Sequence, residues 1–159
     1  MIQLDNLDVK ILEFLQENSR ITMKEMAARL NSSTTPVFDR IKKLERNGVI
    51  AKYVALINPR KIDKKLIAFV SVSMKEHGKA ALDAFSERID AYAEIVECHH
   101  ITGQADFLLK VITEDIESYN TFITERLSQI PDIAHVNSSF SLSTRKDINT
   151  YYLGGEVNN

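Results

Sequence analysis

The stretch SSTTPVFDRIKKLERNG, residues 32–48, opens with four hydroxyl side chains and a proline and continues with Arg40, Lys42, Lys43 and Arg46. Val37, Ile41 and Leu44 fall on one helical face at spacings of three and four, and Thr35, Asp39, Lys42, Lys43 and Arg46 fall on the other. With Ser33 as cap, Thr34, Thr35 and Pro36 form the first turn, where backbone N–H groups lack intrahelical partners and a proline removes nothing needed. Gly48 can take the positive φ that ends a helix, and the β-branched run VIAKYVALI follows as an extended segment.

Two helices are expected upstream. Leu7, Ile11, Leu12 and Leu15 recur at helical spacing behind Asp5 or Asn6 as cap, and Thr22 with Glu25 forms a reciprocal capping box ahead of MKEMAARL. Only Asn31 and Ser32 separate that second helix from the quoted stretch, so the two turn sharply against each other. Three helices with a cationic outer face on the third match a helix-turn-helix that lays its last helix in the major groove of double-stranded DNA. Hydroxyls and free N–H groups at the helix start suit phosphate or base edges, and the Lys/Arg row supplies counterion release. The candidate DNA-binding residues are Ser33, Thr34, Thr35, Asp39, Arg40 at the flank, Lys42, Lys43 and Arg46. A merely solvated basic face has the same pattern, diluted by Asp39 and Glu45.

Charge is segregated along the chain. Residues 1–60 hold ten Lys and Arg against seven Asp and Glu, and the remainder ten against fifteen, within a net charge of -2 over 159 residues. A basic first third suits a polyanion, and the acidic remainder another task. No run approaches the roughly 18 apolar residues of a membrane span and no signal peptide is evident, so a cytoplasmic protein is expected. The lone Cys98 forms no internal disulfide.

Beyond residue 60 the pattern reads β-α-β-β-α-β. KLIAFVSVSMK alternates, KAALDAFSERIDA has helical spacing, EIVECHHIT and DFLLKVIT are strands about Gly103, DIESYNTFITERLSQI is a helix ended by Pro131, and IAHVNSSFSLST is the last strand. The fold class is therefore α+β: a helix-turn-helix over 1–48, a linking strand and hinge over 49–60, a ferredoxin-like βαββαβ domain over 61–150 and a tail over 151–159. With both helices on one face of the sheet, the other face calls for a second subunit, helped by the linking strand.

Enzymatic readings find little. Cys98 and His100 point to one side of a strand and His99 to the other, so they do not grip one metal ion. A Cys98–His135 pair lacks an oxyanion site, and the glycines form no nucleotide loop. No catalytic residue, metal or cofactor is expected. The rival to a DNA-binding regulator is a stand-alone small-molecule sensor or enzyme-regulatory module whose helices meet proteins. The turn Thr102-Gly103-Gln104-Ala105-Asp106 has N–H groups suited to a carboxylate and a side chain suited to an ammonium, yet a plain glycine turn explains it as simply.

LDVKILEFLQENSRITMKEMAARL, TPVFDRIKKLERNGVI, YVALINP and VECHHITGQADFLLKV together resemble the Lrp/AsnC family of bacterial and archaeal transcription regulators, over residues 4–147. The resemblance implies a helix-turn-helix, a linking strand, and an amino-acid-responsive domain that assembles into homodimers and often octamers. It also implies an effector site at Thr102, Gly103, Gln104, Ala105 and Asp106 between dimers, with Ser138 as a ligand-facing hydroxyl. Where the family usually shows Leu-Ser-Pro-Thr-Pro, this chain has Ser32 to Pro36, so a leucine and a proline give way to hydroxyls. Gln104 replaces an acid and Ala105 an aromatic residue, which favours an effector with a bulkier or less basic side chain.

Overall fold

The computed structural model describes residues 3–146 and 150–153 and divides into two compact units, Met1–Leu56 with Lys146–Asn159, and Ile57–Arg145. The first holds α1 (Asn6–Glu17), α2 (Met23–Arg29) and α3 (Thr34–Arg46). Ile11, Leu12, Met26, Ala27, Val37, Ile41 and Leu44 form its core. The α2–α3 turn runs from Leu30 to Ser33 and bends at Asn31, which takes φ +49, a left-handed conformation that asparagine tolerates.

Asp5 caps α1 and, with Asp8, completes a capping box there. At α2 only half of the expected box forms. Thr22 accepts from the Glu25 N–H at 3.2 Å, but the Glu25 carboxylate turns to Arg29 at 2.9 Å, one helical turn on, instead of reaching back. α3 ends as foreseen: Gly48 takes φ +69, its N–H donates to Glu45 O, and the Val49 N–H donates to Leu44 O, a Schellman closure.

Two features concern the segments that flank the sheet unit. Residues 51–58 join no sheet among the described residues, so the anticipated linking strand lacks a partner within this chain. The last described residues also return to the helical unit. Gln16 Oε1 accepts from the Tyr151 N–H at 2.6 Å, Gln16 Nε2 donates to Tyr151 O at 3.2 Å, and Leu153 packs against the helical core. Gln16 thus satisfies both backbone groups of Tyr151 as a neighbouring strand would. Residues 154–159 of the anticipated tail lie outside the described residues.

The second unit has β1 (Leu66–Met74), α4 (Lys79–Ile89), β2 (Ile95–His100), β3 (Phe107–Thr113), α5 (Ile116–Glu125) and β4 (Ile133–Phe140). The sheet is antiparallel in the order β2-β3-β1-β4. Ala68, Val70, Val72, Phe107, Leu109 and Val111 point into the layer of α4 and α5, where they meet Phe85, Ile89, Tyr119 and Phe122. The alternate residues, among them Ile67, Phe69, Leu108 and Ile112, occupy the face without helices. Phe69 remains 41% exposed there.

One ion-pair cluster sets α3 against the start of α1. Arg40 Nη1 donates to Asp5 Oδ2 at 2.6 Å and to Asp8 Oδ1 at 2.7 Å, and Asp8 is only 3% exposed. The Asp5 carboxyl lies below its ordinary value of 3.8, through the Asp8 N–H first and the Arg40 guanidinium next. A depressed folded-state pKa stabilises above the unfolded value, and that stability fades as pH falls through the folded one. Arg40→Met should destabilise the helical unit by roughly 1–3 kcal/mol, since the buried Asp8 carboxylate loses its cation. It should also flatten the loss of stability below about pH 4. Urea unfolding of both proteins between pH 3 and pH 7 checks both effects.

Candidate DNA-reading helix and effector loop

α3 presents its polar face outward because Val37, Ile41 and Leu44 are consumed by the core. Ser33 occupies the cap with extended backbone, φ -92 and ψ 165, but its hydroxyl makes no capping bond. The hydroxyls of Ser33, Thr34 and Thr35 and the N–H groups of Thr34 and Thr35 therefore find no partner among the described residues. An anion or base-edge acceptor would complete them, and the helix dipole favours negative charge at this end.

The four basic residues split into two kinds. Lys43 and Arg46 are exposed and make no ion pair among the described residues. Arg40, expected at the flank of the DNA contact, has its guanidinium paired with Asp5 and Asp8. Lys42 is exposed but, like Arg40, partnered. Its ammonium donates to Glu45 at 2.8 Å and lies 5.7 Å from the centre of the Phe38 ring. Glu45 in turn accepts from the Tyr53 hydroxyl at 3.0 Å. Lys42, and then Tyr53, hold the Glu45 carboxyl below its usual value. The Tyr53 hydroxyl is pushed up to about 12, by burial first and by Glu45 next. Asp39 is exposed on the same outer face.

In the other unit, the loop between β2 and β3 is pinned from inside. The Ile101 N–H donates to Asp106 O at 2.8 Å, and the Asp106 N–H to Val72 O at 3.0 Å. Asp106 Oδ2 accepts from the Met74 N–H at 2.7 Å, and Oδ1 lies 3.1 Å from His77 Nδ1. The carboxylate expected to meet an ammonium is thus already engaged in holding the loop to β1. Ser73 donates to Gln104 O at 3.2 Å. Gly103 takes φ +121, where a side chain is strained although a Cβ would meet only open space. The N–H groups of Thr102, Gly103, Gln104 and Ala105 have no acceptor among the described residues.

Ser138 stands apart from this loop. It pairs with Val70 on the helix-facing side of the sheet and accepts from the Tyr119 hydroxyl, so it joins no bond of residues 102–106. Strand alternation turns the serine toward α5.

The thiol readings fall on the same alternation. Cys98 registers with Leu109 on the helix side of edge strand β2, whereas His135 registers with Ser73 on the opposite face of edge strand β4. Burial, then the charge of Asp90, pushes the Cys98 thiol up, the reverse of nucleophile activation. No group of three or more potential metal ligands occurs among the described residues, and no described helix is long and apolar enough to cross a membrane.

Comparison with known proteins agrees with this geometry. Residues 4–51 match the winged helix-turn-helix DNA-binding family and residues 67–151 the Lrp/AsnC ligand binding domain. The chain is 33% identical over 144 residues to the Bkd operon transcriptional regulator of Pseudomonas aeruginosa, covering 91% of this chain and 94% of the relative. It is 35% identical over 146 residues to a leucine-responsive regulatory protein of Rhizobium meliloti, covering 92% and 94%. Among solved structures it is similar to a Neisseria meningitidis transcriptional regulator in complex with L-Met, at 32% identity, with a TM-score of 0.91 and coverage of 96% and 98%. A three-helix reader with an exposed cationic α3, a one-sided antiparallel sheet and these relatives lead to one conclusion: the chain belongs to the Lrp/AsnC family of DNA-binding transcriptional regulators.

Proposed function

We propose that the protein regulates transcription in the cytoplasm as a homodimer, or as an octamer built from dimers, that lays α3 in the major groove and responds to a free amino acid. One observation carries the DNA-reading half: on its exposed face, α3 leaves three hydroxyls, two N–H groups and the cations Lys43 and Arg46 without partners among the described residues. Ser33, Thr34, Thr35 and Asp39 are assigned to base edges and nearby phosphates, and Lys42, Lys43 and Arg46 to phosphates. Arg40 is assigned to positioning. For the effector, the four partnerless N–H groups of residues 102–105 suit a carboxylate, and the Gln104 amide suits the remaining polar group. Asp106 is assigned to hold the loop, and Ser138 would contribute only with a change of its bond to Tyr119. The Neisseria relative solved with L-Met supports an amino acid as the ligand class. The apolar residues on the open sheet face support a second copy as its cover.

Three measurements test the scheme. Lys43→Ala and Arg46→Ala should each lower the slope of log affinity against log salt by about one, whereas Arg40→Ala should weaken binding with the slope unchanged. Gel shifts across a salt series decide this, and unchanged binding and slope for the Lys43, Arg46 double variant would remove α3 as the reader. Calorimetric titration with the standard amino acids should find a ligand that wild type binds at least tenfold more tightly than Gly103→Trp. Equal binding by both proteins would place the ligand elsewhere. Phe69→Asp should convert a sedimenting dimer to monomer at micromolar concentration, and an undiminished dimer would assign the interface to another surface.

A further inference from the structure

The flank of α3 turned away from Arg40 carries an aromatic ring that the helical core does not use. Phe38 is 49% exposed while its neighbour Val37 is fully buried. Lys42, one turn later, places its ammonium 5.7 Å from the ring centre and donates to Glu45 at 2.8 Å, and Glu45 also accepts from the Tyr53 hydroxyl at 3.0 Å. The ring is therefore braced on one side and open on the other. It is the fifth residue of α3, one turn past Thr34.

A phenyl ring does nothing for a phosphate, but it gains when an apolar surface covers its exposed half. The base edges of the major groove offer donors, acceptors and one apolar group, the 5-methyl of thymine. Residues near the start of a recognition helix are those that reach base edges. The cations Lys43 and Arg46 on the same helix, which pair with no acid among the described residues, fit the polyanion that carries that methyl.

We propose that Phe38 packs against the 5-methyl group of a thymine in each half-site and so determines specificity for thymine over cytosine at that position. The inference rests on the DNA-reading role of α3 given above. The Lys42–Glu45–Tyr53 chain keeps the ring braced while Lys42 remains close to the backbone phosphates.

The test begins with duplexes selected by the full-length protein from a random library. In the best duplex each thymine is replaced singly by deoxyuridine, which removes only the methyl, and affinities are measured for wild type, Phe38→Ala and Phe38→Leu. One replacement per half-site should weaken wild type about fourfold, the factor for burying one methyl-sized group. The same replacement should leave Phe38→Ala within twofold and retain part of its effect with Phe38→Leu. A selected duplex whose deoxyuridine effects are absent, or persist undiminished in Phe38→Ala, overturns the contact while leaving DNA reading intact. A library that yields no bound duplex overturns both.

Discussion

A four-stranded sheet with helices on one side has only half of its surface covered, and the second unit is organised around that inequality. Strand alternation assigns Val70, Val72, Leu109 and Val111 to the interior with Phe85 and Phe122, and by the same rule sends Phe69 and Leu108 outward. The interior is complete without help. The outward face is only part apolar, since Lys110 pairs with Glu97 at 2.7 Å across it, so it suits an interface that must remain soluble before assembly. The edge order matters as much: placing β2 and β4 at opposite edges separates Cys98 from His135 and aligns the β2–β3 loop with the end of β1.

In the helical unit the governing choice is how charge is used. A cation on this helix can face a ligand or pair within the chain, and Arg40 pairs with Asp5 and Asp8. Its two carboxylate partners belong to the capping box of α1, so the start of one helix is tied to the middle of another. This arrangement orients α3 at the expense of one positive charge on its surface. Lys43 and Arg46 keep theirs.

Periodicity made the architecture legible. Apolar spacing locates α1 to α5 and the four strands of the sheet, though it also suggests a linking strand that joins no sheet, and backbone rules alone account for Gly48 and Pro36. Pairings distant in sequence were not legible. Arg40 meets acids 32 and 35 positions away, Asp106 meets the Met74 N–H 32 positions away, and Gln16 meets Tyr151 135 positions away. A basic or acidic side chain looks the same in a sequence whether its partner is a ligand or a remote part of its own chain. Phe38 is not distinguished in the sequence either, since single apolar residues next to a core face are common, and only the packed helix shows its ring exposed.

The return of Tyr151 to Leu153 onto α1 alters how the chain could be cut. Because the helical unit contains residues on both sides of the sheet unit in sequence, the two are joined by two peptide connections, one near residue 56 and one near residue 146. A single nick near residue 146 leaves the three helices covalently attached to the sheet unit, whereas one near residue 56 leaves them held only by their non-covalent contacts with Tyr151 and Leu153. A truncation after residue 145, which would look like the removal of a tail, instead strips Gln16 of its backbone partners and the helical core of Leu153.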